Sequence, residues 1–196
     1  MNLYIADTGT VTLDRLREIS LQRAQRAQRY TMTGDKKRCI SGGLFIKRFL
    51  GDAKIYENEF GKPLADNGIF FNLSHSGNYV IFAMSDCEVG CDIQQIDYIK
   101  SESAAKIVFC KNEMQMLSDA ADKLGMFYRL WTKKESLLKC IGKGFHRNSK
   151  SVDVSNNIFC ENGKEYYMRT YEFSDYVISV CSLKNKFPDC IEFVNL

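Results

Sequence analysis

Apolar residues return every third or fourth position along some stretches of the chain and every second position along others. These two periods sort it into helices and strands. Residues 2–6 read as a short strand, and residues 12–30 as one helix rich in Leu, Arg, Gln and Ala, with Leu13, Leu16, Ile19 and Leu21 on its apolar face. Asp35 is placed to cap a second helix that runs to Leu50, and Gly51 ends it. The pair Gly42-Gly43 inside that helix costs about 1 kcal/mol per residue relative to alanine, which predicts close packing against another backbone. Residues 69–73, 79–84 and 89–93 read as strands, with Ser76-Gly77-Asn78 turning the chain between the first two.

The same order then recurs. Residues 101–108 and 111–122 read as helices. Residues 125–141 give the strongest helix, with Phe127, Leu130, Trp131, Leu137, Leu138 and Ile141 on one side and Gly142 and Gly144 as stops. Residues 152–160, 165–173 and 176–183 read as strands, the last two as a hairpin turned at Ser174-Asp175. Helices followed by strands, twice over, predict an α+β fold of two similar halves, residues 1–97 and 98–196, packed as one unit. No repeat of individual residues accompanies the repeated order.

Composition narrows the class. A chain of 196 residues with 45% apolar and 26% charged side chains can bury a core without staples. Only two prolines and no Gly/Ser-rich tract argue against a flexible linker. No apolar run approaches the roughly 18 residues that span a bilayer. The start, Met1-Asn2-Leu3-Tyr4, does not read as a signal peptide. A cytoplasmic protein with no membrane partner is therefore expected. The eight cysteines contain no CxxC pair, and with only His75 and His146 to join them no zinc site of the usual spacing can be assembled. Free, partly buried thiols in a reducing compartment are the expectation. Net charge is only +3, but eleven basic residues between Arg15 and Lys54 face just Glu18, Asp35 and Asp52. That segment suits either a solvated helix face or a phosphate-binding surface, and composition leaves both open.

Three segments place polar residues where a purely structural element would carry others. In Phe70-Phe71-Asn72-Leu73-Ser74-His75-Ser76-Gly77 a strand empties into hydroxyls around a histidine, which suits a phosphate oxygen or a backbone-bonded turn. In Val89-Gly90-Cys91-Asp92-Ile93-Gln94, Asp92 and Gln94 project from one strand face, a carboxylate and an amide oxygen fit for a hard cation or for a solvated edge. In Trp131-Thr132-Lys133-Lys134-Glu135-Ser136-Leu137-Leu138-Lys139, Glu135 and Lys139 lie one helical turn apart, as a metal-binding carboxylate beside a phosphate-steadying cation or as a surface ion pair.

Together and in this order, with Gly61-Lys62-Pro63 upstream and Gly142-Lys143-Gly144 downstream, these segments resemble the 4′-phosphopantetheinyl transferase superfamily, and its Sfp-type members most. The resemblance spans roughly residues 15–183 and is strongest over 61–144. It implies a pseudo-two-fold fold of two α+β halves with the active site between them, Asp92 closing the first half and Glu135 lying in the second. The activity it implies is Mg²⁺-dependent transfer of 4′-phosphopantetheine from coenzyme A to a serine of an apo acyl, polyketide or peptidyl carrier protein, with Mn²⁺ as a substitute metal. Carried over by motif, Asp92 and Glu135 would hold the metal. Lys139 would contact the pyrophosphate, and Ser74 and His75 the nucleotide phosphates. Phe60, Gly61 and Lys62 would frame the adenosine. Arg23, Arg26 and Arg38 fall where the family places cations on the 3′-phosphate. Asp92, Glu135 and Lys139 are then the catalytic set, with Glu135, or a metal-bound water that it orients, the base for the carrier serine.

One departure bears on the metal. Gln94 stands where many Sfp-type enzymes have a further carboxylate, so the resemblance implies a weaker metal site that this amide or water completes. A monomer is expected because one chain supplies both halves. Two other readings compete: a member of the same fold that binds coenzyme A or a carrier protein without transfer, and a nucleic-acid-binding domain built on the basic segment. The latter leaves the motifs of residues 61–144 without a purpose, so no nucleic-acid partner is expected.

Overall fold

In a computed structural model that describes residues 1–97, 101–143 and 148–196, four layers stack as helix, sheet, sheet, helix. Side-chain alternation on the strands dictates the stack. Strand β1 (Asn2–Asp7) turns Leu3 and Ile5 to one side and Tyr4 and Ala6 to the other. Strand β5 (Tyr79–Ser85) does the same with Ile81 and Ala83 against Val80 and Phe82. Tyr4, Phe71 and Phe82 meet Phe45 and Phe49 of helix α2 (Thr33–Leu50) in a run of nearly parallel rings, with centroids 4.1 to 6.0 Å apart. Leu3, Ile5, Ile81 and Ala83 face the second sheet, where Cys91, Ile93, Ile178 and Val180 receive them. The outer face of that sheet, with Met168, Val177 and Cys181, is covered by Leu130, Leu137 and Leu138 of helix α5 (Lys123–Ile141).

The first sheet has the order β10-β1-β5-β4, with β4 (Phe70–Ser76) and β10 (Glu192–Phe193) at its edges. The second has the order β6-β9-β8-β7, made of β6 (Val89–Gln95), β7 (Ile158–Glu161), β8 (Lys164–Phe173) and β9 (Tyr176–Ser182). A unit recurs: strand, long helix, hairpin. It appears as β1, α2, β4–β5 and again as β6, α5, β8–β9, and in both sheets the opening strand pairs with the last strand of the hairpin. The second unit therefore opens at β6. The expected division at 97/98 leaves β6 with the first half, whereas its hydrogen bonds run to β9 in antiparallel register, Asp92 opposite Ser179. Residues 98–100, beside that division, lie outside the described residues. At the far end of the chain β10 returns to pair in parallel with β1.

The local departures have local causes. Residues 12–30 form a 3₁₀ stretch, Leu13–Glu18, and then helix α1 (Leu21–Gln28), because Ile19 is extended and the Ser20 hydroxyl accepts from the Arg23 amide as a helix cap. Helix α2 begins two residues before Asp35, which pairs with Arg38 in its first turn instead of capping it. Its glycine pair is packed by side chains, not by another backbone. A Cβ at Gly43 would lie 2.6 Å from Ile19 Cγ2, and one at Gly42 3.1 Å from Arg23 Nη1. Of residues 152–160 only the end is strand, since Val152 and Val154 are buried beside a 3₁₀ turn, Ser149–Ser151. The short hairpin of β2 (Ile55–Glu57) and β3 (Pro63–Ala65) was not visible as a pattern. Helices α3 (Ser101–Val108) and α4 (Lys111–Asp119) fall where expected.

Candidate active site

Helix α5 lies directly on strand β6, and one glycine permits it. A Cβ at Gly90 would overlap the carbonyl oxygen of Ser136 and the amide nitrogen of Cys140, and would lie 2.9 Å from the carbonyl carbon of Lys139. No other residue fits against a helix backbone at that distance. Two residues further along β6, on the same face, the Asp92 carboxylate meets the Lys139 ammonium at 2.6 Å. Glu135 lies one turn before Lys139 and completes the cluster. Both carboxylates thus lie on elements of the second sheet and its covering helix, β6 and α5.

Asp92 is almost fully buried and has partners on both oxygens. Its Oδ1 accepts from Lys139 Nζ and, at 2.8 Å, from Ser74 Oγ; its Oδ2 accepts from Gln94 Nε2 at 3.1 Å. Lys139 also donates to Ser74 Oγ at 3.1 Å and to the Cys91 carbonyl at 3.2 Å. Burial works against the charged form of Lys139, but Asp92, Cys91 and Glu135 outweigh it and lift its pKa, so it is an ammonium at neutral pH. Glu135 is half-buried and accepts no hydrogen bond from another described side chain. Burial and then the Asp92 charge raise its pKa, and Lys139 only partly opposes them. Cys91, at the sheet interface, is pushed up to about 12 by burial and is a neutral thiol.

Two carboxylates with one shared cation leave a surplus of negative charge, and that surplus suits a hard divalent ion. Asp92 and Glu135 fit Mg²⁺ as oxygen donors. Gln94 now offers its Nε2 to Asp92, and a half-turn of the amide presents Oε1 instead. A separate cluster, Cys110, Glu113 and Asp153, has ligand atoms within 4.8 Å of one another. Its Glu113 is already taken by Lys134 at 2.7 Å and by the amides of Cys110 and Val154 at 2.8 Å. A surface hollow of about 710 Å³ lined by Met1, Asn67, Met84 and Lys184 includes none of the catalytic candidates.

The first unit supplies the remaining candidates in three places. Ser74 reaches from β4 into the Asp92–Lys139 pair, while His75 turns to the other face of β4, towards α2. Loss of hydration, then the charges of Arg38 and Lys139, lower the His75 pKa, and Asp35 opposes them weakly. Arg38 donates to the Gly77 carbonyl at 2.8 Å and to Asp35 at 2.6 Å. Arg23 and Arg26 form a second group on α1. Arg26 is exposed and its pKa is raised by a hydrogen bond with Tyr30. Arg23 lies across α2 at Gly42 with its Nη1 buried and unpartnered, and burial lowers its pKa. An orphaned guanidinium donor is costly, and an anion would satisfy it. Lys62 stands elsewhere. Its ammonium pairs with Glu88 and donates to the Cys140 carbonyl at 2.9 Å, capping the end of α5. Phe60 and Gly61 belong to the same turn, where Asn58 Oδ1 accepts from the amides of Phe60 and Lys62 and Asn58 Nδ2 donates to the Gly142 carbonyl. Gly142 ends α5 in the left-handed conformation, and Gly144 and His146 lie outside the described residues.

Two residues inside the motifs, Gly90 and Lys134, frame the site without a role implied by the resemblance. Gly90 carried a legible signal, a glycine in the middle of a strand. Lys134 carried one too: it falls on the buried side of α5 between Leu130 and Leu138, a place where a lysine needs a partner. Its ammonium binds Glu113 and the carbonyls of Val108, Ser149 and Val152, which fixes α4 and the loop after α5.

Comparisons with known proteins bear on the family. The family model of the 4′-phosphopantetheinyl transferase superfamily matches residues 88–181, the span from β6 to β9 that forms the second unit. The chain is 34% identical over 183 residues to the 4′-phosphopantetheinyl transferase gsp of Aneurinibacillus migulanus, covering 84% of this chain and 76% of that one. It is 29% identical over 197 residues to the 4′-phosphopantetheinyl transferase Sfp of Bacillus subtilis (strain 168), covering 90% and 88%. The solved holo-[acyl-carrier-protein] synthase of Thermotoga maritima aligns with 53% of this chain and 66% of its own at 14% identity and a TM-score of 0.41, too partial a likeness to argue from. With the motifs in order, the carboxylate pair in place and relatives aligned over most of its length, the chain belongs to the 4′-phosphopantetheinyl transferase superfamily.

Proposed function

We propose that this protein transfers 4′-phosphopantetheine from coenzyme A to a serine of an apo carrier protein and leaves adenosine 3′,5′-bisphosphate. The observation that carries the reading is the group formed where α5 crosses β6: Asp92 and Glu135 with Lys139 between them. Coenzyme A presents a pyrophosphate whose charge repels an incoming oxygen, and the reaction breaks its P–O bond as a P–O bond to serine forms. Bound by Asp92 and Glu135, Mg²⁺ would neutralise that charge and polarise phosphorus. Lys139, held as an ammonium by Asp92, donates to a phosphate oxygen. Glu135, or a water that it orients, takes the proton of the serine hydroxyl. Ser74 orients Lys139, and His75 and Arg38 flank the nucleotide end. Arg23 and Arg26 take the 3′-phosphate, which gives the orphaned Nη1 of Arg23 an oxygen partner.

The same reading makes the protein a monomer in the cytoplasm, since one chain carries both units and all eight cysteines are free. Among the described residues no helix is long and apolar enough to cross a membrane. Incubation with coenzyme A, Mg²⁺ and a panel of apo carrier proteins tests the function. The expected result is a carrier heavier by one phosphopantetheinyl group and one equivalent of adenosine 3′,5′-bisphosphate. Tight coenzyme A binding with no mass gain on any carrier would instead describe a non-catalytic binder.

A further inference from the structure

Strands β4 and β6 are the edges of their respective sheets, and an edge strand turns every second amide away from its own sheet. Those amides must find partners if they are buried. On β6 they find them in side chains of β4. The Cys91 amide donates to Asn72 Oδ1 at 3.0 Å, the Ile93 amide to Ser74 Oγ at 3.4 Å, and the Gln95 amide to Ser76 Oγ at 2.9 Å. The sequence offset is nineteen residues in all three, so the two strands run parallel and in strict register. Asn72, Ser74 and Ser76 share one face of β4, while Phe71 and Leu73 on the other face pack towards α2. A polar ladder thus joins the two units where a backbone ladder would otherwise run.

Asp92 sits inside this ladder. The amides on either side of it are held by Asn72 and Ser74, and its own position in β6 is paired to Ser179 of β9. Asn72 is buried at 5% exposure, and its Oδ1 also accepts from the Cys91 thiol at 3.6 Å. Among the described residues it makes no hydrogen bond to the Asp92 carboxylate, Glu135 or Lys139. Ser74 plays two parts, because its hydroxyl also binds Asp92 and Lys139; Asn72 plays one. We propose that Asn72 is a positioning residue: by holding the Cys91 amide it sets β6, and with it the Asp92 carboxylate, at the distance from Glu135 that a divalent cation requires. This rests on the metal-dependent transfer proposed above.

The test reads metal binding directly, by titrating the protein alone with Mn²⁺ and following free Mn²⁺ by electron paramagnetic resonance. Asn72→Leu, close in shape but with no acceptor, is expected to weaken Mn²⁺ binding by about tenfold, the scale seen when the supports of metal ligands are removed. Its kcat should fall by a similar factor while its KM for the carrier stays within about twofold. Asn72→Ser, which offers a hydroxyl as the next two rungs do, should recover most of the affinity. Ser76→Ala, at the far rung, should bind Mn²⁺ like the wild type. A folded Asn72→Leu protein with unchanged Mn²⁺ affinity overturns the proposal. Should that variant not fold, the wild type decides: the Cys91 amide must be strongly protected from hydrogen exchange, and exchange at the rate of a loop amide overturns it. A wild type that binds no Mn²⁺ would sink the metal reading of the function, a result separate from either of these.

Discussion

The two long helices do the same structural job in opposite chemical ways. Helix α2 covers the first sheet with stacked rings, Phe45 and Phe49 on Tyr4 and Phe82, and β1 beneath it is apolar across its buried positions. Helix α5 covers the second sheet with leucines, but also with two ion pairs, Lys134–Glu113 and Lys139–Asp92, and with Thr132 bonded to Ser179 at 2.8 Å. The first unit shows that such a layer can be built without buried ion pairs, so each pair under α5 calls for its own reason. One pair, fully enclosed, is tied to loop carbonyls and serves the architecture. The other opens towards Glu135, in the group to which the proposed transfer is assigned. Set side by side, the two units thus separate a pair that the loops use from a pair that the proposed transfer would use.

The enclosed pair should give the largest effect. Lys134→Met leaves Glu113 buried without its cation and should cost about 3–5 kcal/mol of unfolding free energy in urea titrations. Adding Glu113→Gln should restore much of that loss, and no recovery would mean that the lysine acts through its three carbonyl partners alone. The two glycine contacts come next. Gly90→Ala forces a methyl group into the backbone of α5 and should cost about 3 kcal/mol, with transfer activity falling further than stability explains. Gly43→Ala meets only the Ile19 side chain and should cost about 1–2 kcal/mol with kcat unchanged. Equal costs at both sites would erase the distinction between a helix laid on a strand and a helix laid on side chains.

Titration gives smaller effects. Lys139 has a raised pKa in the folded protein, so its stabilisation is present below the ordinary lysine value and is lost as pH rises through the raised one. Glu135 is raised as well, so its contribution favours folding at acid pH and is lost as pH climbs through its folded value. In the metal-free protein at neutral pH, Glu135→Gln should therefore raise the thermal midpoint, measured by calorimetry. A lowered midpoint would mean that the carboxylate stabilises the fold. His75, lowered, is neutral at pH 7. A phosphate beside it would raise its pKa, so coenzyme A binding should tighten severalfold from about pH 7 to about pH 6, and His75→Gln should flatten that dependence. Equal slopes for both proteins would remove His75 from the nucleotide site.

Much of this was legible from residues alone. The strands β4, β5 and β6 and helix α5 follow from alternation and period, while Asp92, Glu135 and Lys139 each left a plain structural reading open until the order of the motifs joined them. What stayed hidden depended on partners distant in the chain. The pairing of β6 with β9 joins residues 89 and 182, a sheet partnership that order along the chain does not show. Helix α1 broke at Ser20 because a cap competes with helical propensity. Lys62 looked free to meet a ligand until α5 presented its last carbonyls to it. Lys134 gained no role from its own segment because the acid that holds it lies on another helix.

The measurement that tests the division of labour most directly is a pair of readings on Glu135→Gln: coenzyme A affinity without metal, and transfer to an apo carrier with Mg²⁺. If the second unit does the chemistry while the first grips the nucleotide, affinity stays within about threefold of wild type and transfer falls by at least about a thousandfold. Transfer near the wild-type rate, or coenzyme A binding lost together with transfer, would contradict it.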